Sequence, residues 1–127
     1  MRDLDDLLIN IASLTDEIES GRGLPDELVS SLKSSGVFRN LIPKQYGGLE
    51  TPFCEHIKQI QRISEVDASA AWCINQSAVI GTTSLWLDDE QIREIWAPAD
   101  TSISNGPPFD CVIEAVNEGF MLNGHWG

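Results

Sequence analysis

Positive charge is scarce in this chain. Its 127 residues carry eight Lys and Arg against twenty Asp and Glu, for a formal net charge of −12. Such a surface repels phosphate backbones, which excludes nucleic-acid binding as a main role and otherwise chiefly confers solubility. Cysteine is also thin. Cys54, Cys73 and Cys111 are far apart and odd in number, with no CxxC pair, so neither a disulfide framework nor a zinc knuckle is signalled. No apolar run approaches the roughly 18 residues of a membrane span. The first twenty residues are acidic and amphipathic where a secretory leader would be basic and then apolar, leaving the cytoplasm as the expected compartment. There is no repeat, no phosphate-binding glycine loop, no Ser-His-Asp set and no suitably placed acid pair. Neither His56 nor His125 has a second ligand at metal spacing, so no metal is expected. His56, beside Lys58 and Gln59, reads as part of a solvated face.

Apolar residues make up 42% of the chain, an ordinary share for a soluble domain, and the length allows one domain with a real core. Leu4, Leu7, Leu8, Ile11, Leu14 and Ile18 recur at steps of three and four, which predicts one amphipathic helix ended by "SGRG". A second helix opens at Pro25, carries Leu28, Val29 and Leu32 inward, and stops at Gly36 as a left-handed cap. Thr51 and Pro52 read as N-cap and first position of a third helix, with Phe53, Ile57, Ile60 and Ile63 as its stripe. Asp67 caps a fourth, "ASAAWCINQSAVIG", which is apolar over most of its circumference and so belongs in the middle of a bundle. Asp88 and Gln91 form a capping box for a short helix that ends at Pro98, with Leu87 and Ile92 as its staple.

The character then changes. "TSISNGPPFD" is rich in turn residues, and "CVIEAVNEGFMLNG" alternates around a turn at Asn117–Gly119, the pattern of a hairpin. A lone hairpin is marginal in water, so more sheet is expected to follow in a longer protein. Between the second and third helices lies "GVFRNLIPKQYGG", Gly36 to Gly48, which fits neither a helical nor a strand period. Glycines there permit positive φ and the proline fixes a bend, as binding loops on rigid scaffolds require.

The order of these pieces resembles the N-terminal part of the acyl-CoA dehydrogenase superfamily, in particular its flavin-dependent monooxygenase (aromatic hydroxylase) branch. A Gly-aromatic-Arg segment (Gly36, Phe38, Arg39) leads to Pro-x-x-Tyr-Gly-Gly (Pro43, Tyr46, Gly47, Gly48). Trp72 follows on the central helix, Trp96 before the sheet, and Gly124 and Trp126 on the last strand. The resemblance covers about residues 24 to 127. It implies a mainly α fold: a helical bundle domain over 1–98, and over 99–127 the first strands of a middle β domain that is incomplete here. The catalytic residues of the family lie beyond the matched segment and are not assigned.

The resemblance further implies an enzyme, a two-component monooxygenase that uses reduced flavin and oxygen to hydroxylate a small organic substrate. FMN or FAD would be the cofactor, a reductase a partner, and a homotetramer the assembly. A true acyl-CoA dehydrogenase is the alternative within the fold; Arg39 and the missing Leu-Thr-Glu-Pro segment speak against it. A non-catalytic helical interaction module is the alternative outside it, and the 127-residue chain alone is expected to be inactive and not to retain flavin.

Site residues implied by the resemblance each have a plainer reading. Tyr46 faces the substrate cavity or packs across its own turn. Trp72 stacks near the cofactor or fills the core. Asn75 interrupts the apolar helix and lines the cavity, or bonds a backbone carbonyl. Ser104 and Asn105 donate to the polar edge of flavin or belong to an ordinary turn. Trp126 sits close to flavin or in sheet core. Arg39 meets an anionic ligand group or pairs with one of the many carboxylates.

Overall fold

The computed structural model describes residues 4–96, 98–106 and 108–126, without the side chains of Pro108 and Trp126. Six α-helices precede an antiparallel hairpin. The first apolar stripe folds as two helices, α1 (Leu4–Ser13) and α2 (Thr15–Gly21), not the single helix expected. The break falls at Leu14, whose N–H bonds the carbonyl of Ile11 at 3.0 Å. Ser13 and Thr15 hydroxyls bond back to the carbonyls of Asn10 and Ala12, a local competition that bends helices. The bend costs little burial, because Leu7, Ile11, Leu14 and Ile18 all stay inside.

α3 (Asp26–Ser35) ends as expected at Gly36, left-handed with φ 79°. α4 (Phe53–Val66) starts one residue later than expected, with Pro52 at the N-cap position. Its inward face is also shifted. Phe53 is 61% and Ile57 46% exposed, while His56 and Ile63 are wholly buried. α4 packs along α5 (Ala68–Gly81), whose N-terminus is capped by Asp67 accepting from the Ala70 N–H at 2.7 Å.

α5 is not enveloped among the described residues. Ala70, Ala71, Ile74 and Ala78 are buried, but Trp72, Cys73 and Val79 face outward. Alanines on the inner side let α4 and the 36–48 loop approach, and the larger side chains are left on the outer side. A 3-10 turn (Thr82–Trp86) leads to α6 (Asp89–Trp96), where the Asp88 N–H donates to Gln91 Oε1 at 3.3 Å, one half of the expected capping box.

Two separate apolar clusters result. The larger joins α1, α3, α4 and α5 through residues such as Ile11, Leu28, Leu32, Ile63 and Ile74. The smaller consists of Ile42, Ile92 and Trp96, with Tyr46 and Ile103 packed against it. The hairpin pairs β1 (Pro108–Val116) with β2 (Gly119–Trp126) around the expected turn, with Ile113 opposite Leu122 and Ala115 opposite Phe120. Ile113, Phe120 and Leu122 share one face and are all more than half exposed.

Candidate functional site

The 36–48 loop closes on itself. Amides of Leu49, Glu50 and Thr51 donate to the carbonyls of Arg39, Ile42 and Asn40 at 3.0, 3.0 and 2.7 Å. Gly36 and Gly47 both hold φ 79°, where a side chain is strained. Inside the loop's crossing lies Arg39, which is buried. The carboxylate-pair reading of it does not hold: among the described residues its side chain meets three backbone carbonyls and no carboxylate. Nη1 donates to the carbonyl of Pro98 at 2.8 Å, and Nη2 to those of Tyr46 at 2.6 Å and Trp96 at 2.8 Å. Two of these acceptors lie at the end of α6, where the helix dipole favours a cation. Burial pulls the guanidinium below its ordinary pKa, yet the carbonyls and the fork geometry keep it charged.

Tyr46 turns its phenol outward and donates to Asp89 Oδ1 at 2.9 Å. Arg93 lies over its ring, 5.5 Å from the centroid, and pairs with Asp89 at 2.7 Å. The Asp89 hydrogen bond holds the phenol above its usual pKa, and Arg93 holds Asp89 below the usual carboxylate value. Tyr46, Arg39, Arg93 and Trp96 border a cleft of about 350 Å³.

A different cleft, of about 390 Å³, runs beside α5. Leu24 and Phe38 form one side, Trp72, Gln76 and Ser77 the floor, and residues 102–105 the far wall. The Ile103 N–H donates to Ser77 Oγ at 3.2 Å and fastens that wall to the helix. Trp72 is 65% exposed, so the core reading of it is overturned. The cleft thus brings Trp72, Ser104 and Asn105 together, but not Tyr46. Trp126 ends β2, and its side chain lies outside the described residues.

Asn75 sits at the edge of the outer face of α5, where its Oδ1 lies 3.2 Å from His56 Nε2. His56 is wholly buried, which corrects the solvated reading. Its Nδ1 is 3.2 Å from Asn40 Nδ2, and the same Asn40 amide donates to Gln59 Oε1 at 2.8 Å. Sequence reasoning missed this cluster because Lys58 and Gln59 suggested solvent. The available signal was His56 standing two helical turns before Ile63 on one face.

Burial lowers the His56 pKa, with the Asn75 bond opposing in part. The unfolded imidazole titrates near 6.5. As pH falls below that value the unfolded chain gains a proton that the folded one resists, so stability present at pH 7.5 is lost toward acid. Urea midpoints at pH 7.5 and 5.5 should show this drop, and His56→Gln should flatten it. An unchanged slope in the variant would assign the acid sensitivity to other groups.

Among the described residues no three His, Cys, Asp or Glu side chains cluster as a metal site, and no helix is long and apolar enough to cross a membrane.

A helical domain running into an antiparallel hairpin, with an aromatic-floored cleft closed by the connecting segment, is the architecture that these elements define. The family model described as acyl-CoA dehydrogenase, N-terminal domain, matches residues 9–101, and the chain belongs to that family. It is 34% identical over 116 residues to an indole-3-acetate monooxygenase of Pseudomonas putida, covering 87% of this chain and 28% of the relative. It is 33% identical to the oxygenase component of a p-hydroxyphenylacetate 3-hydroxylase of Acinetobacter baumannii, covering 98% of this chain and 30% of the relative. The crystal structure of the HsaA monooxygenase from M. tuberculosis superimposes with a TM-score of 0.85 at 30% identity, over 97% of this chain and 33% of that one. The chain therefore spans about a third of the length of these relatives.

Proposed function

We propose that this chain is the helical wall of the oxygenase component of a two-component flavin-dependent monooxygenase acting on a small aromatic substrate. The observation that carries the reading is sequence and structural likeness along nearly the whole chain to monooxygenases, including a TM-score of 0.85 at 30% identity. On this reading residues 1–98 are the helical domain, and 99–127 open the β domain. A reductase would deliver the reduced flavin, as the term "oxygenase component" in the A. baumannii relative implies for that protein.

The cleft beside α5 fits the edge of such a cofactor. It offers an exposed indole at Trp72, hydroxyl and amide donors at the exposed Ser104 and Asn105, and apolar walls at Leu24 and Phe38. Reduced flavin supplies the activation of oxygen when bound. Trp72 would lie against the ring system, and Ser104 and Asn105 would hold its polar edge. Leu24, Phe38 and Trp72 would keep water from the reacting atoms. The reading takes FMN or FAD alike, because the contacts it invokes are to the ring system that both share.

The whole protein, supplied with reduced flavin, oxygen and an aromatic acid, should form a hydroxylated product. Trp72→Ala should lower the fraction of consumed oxygen recovered in product, by up to about 100-fold if the ring is misplaced by about 1 Å. Oxygen-independent oxidation of an acyl thioester instead, with no hydroxylation, would replace this reading with that of a dehydrogenase.

A further inference from the structure

The buried cluster around His56 has a direction. Thr51 Oγ1 lies 3.4 Å from Asn40 Oδ1, which leaves the Asn40 amide nitrogen as the donor. That nitrogen faces both Gln59 Oε1 and His56 Nδ1. His56 Nδ1 must then accept, and the ring proton sits on Nε2, which donates to Asn75 Oδ1. The carboxamide oxygen of Asn75 is thereby turned inward, and its NH₂ is left toward the outer face of α5. Trp72 and Val79, three residues before and four after Asn75, are both exposed on that side.

We propose that His56 is a positioning residue for the α5 face: it locks Asn75 as a donor-only group that takes a hydrogen-bond acceptor oxygen, phenolic or carbonyl, on an aromatic ring lying along Trp72 and Val79. This deepens, and rests on, the reading of α5 as a cavity wall. Asparagine could otherwise present either end. With its oxygen occupied by a buried imidazole, flipping the amide would set an NH₂ against an N–H and leave both unsatisfied, a cost no exposed asparagine carries.

The groups packed against His56 do not supply a charge that would alter this. The loop contributes Asn40 and α5 contributes Asn75, neither of which titrates. On α4 the neighbours Glu55 and Lys58 pair with one another at 2.8 Å on the exposed side. Burial then keeps the imidazole neutral, and the neutral ring keeps one tautomer.

Two measurements on the 127-residue chain test this. Imidazole ¹⁵N spectra should show His56 as the neutral Nε2–H tautomer at pH 7.5. A Nδ1–H tautomer, or a doubly protonated ring at that pH, overturns the proposal. Titration with p-cresol and with toluene, followed by side-chain amide shifts, should give p-cresol roughly three- to tenfold tighter binding, the worth of one neutral hydrogen bond. Asn75→Leu should erase that difference, and His56→Phe, in which the amide is free to turn, should reduce it. Circular dichroism confirms that each variant is folded, and His56→Gln, able to donate from its own amide, should restore part of the preference.

Equal binding of the two rings by the unmodified chain overturns the donor role while leaving the cavity intact. Failure of both rings to shift any resonance on the outer face of α5 overturns the cavity reading itself, and the donor role with it.

Discussion

Gly48→Ala is expected to destabilise the chain by about 3 kcal/mol or more, the range of severe overpacking against backbone. A β-carbon at this position would overlap the carbonyl group of Ile42, which cannot rotate away. That carbonyl also accepts from the Glu50 N–H at 3.0 Å, so moving it opens the loop closure. Glycine is required here for close approach of two backbone strands, not for unusual torsion angles. Neighbouring Gly47 differs: its φ of 79° makes alanine strained, and the new carbon would sit 3.1 Å from Arg39 Nη2. Urea denaturation followed by circular dichroism reads both. An alanine at position 48 with an unshifted midpoint would mean that the loop does not close as described.

Arg39→Ala should cost about 3 kcal/mol, because hydrogen bonds from a charged donor are worth more than neutral ones and three carbonyls, that of Trp96 buried and those of Tyr46 and Pro98 partly so, lose their partner together. Arg39→Lys should recover less than half. An ammonium is a compact point charge and cannot reach the carbonyls of Tyr46, Trp96 and Pro98 in the geometry of a planar fork. Trp96, buried against Ile42 and Ile92, reports the loss through its fluorescence. Full recovery by lysine would show that charge alone, and not the fork, is what this position needs.

These two residues mark the limit of what the sequence discloses. The glycines of "GVFRNLIPKQYGG" announce an irregular loop, since glycine and proline act through local torsion angles. What Arg39 bonds is not local: two of its acceptors lie 57 and 59 residues further along the chain. Its neighbours in sequence gave no hint of them. The Asp67 cap, the Gly36 cap and the turn at Asn117–Gly119 were legible for the same reason that the glycines were. The break at Leu14 was not, because a bend that keeps the apolar stripe intact leaves the periodicity unchanged; nor was the rotated face of α4, where Lys58 and Gln59 beside His56 suggested solvent. In the site, Trp72, Ser104 and Asn105 were named separately and are found along one cleft. Their meeting depends on the tether from Ile103 to Ser77, which no spacing rule predicts.

The division of the apolar interior into two clusters has a dynamic consequence. Each is a unit that can lose its order by itself, and the smaller one, built on Ile42, Ile92 and Trp96, has far less to lose. Amide protons of the last helix should therefore exchange with solvent through a partial opening in which Leu28 and Ile74 never see water. The segment carrying Ser104 and Asn105 leans on this smaller unit through Ile103. The far wall of the cleft thus leans on the less stable of the two clusters, and its order should fade with that cluster before the larger one opens.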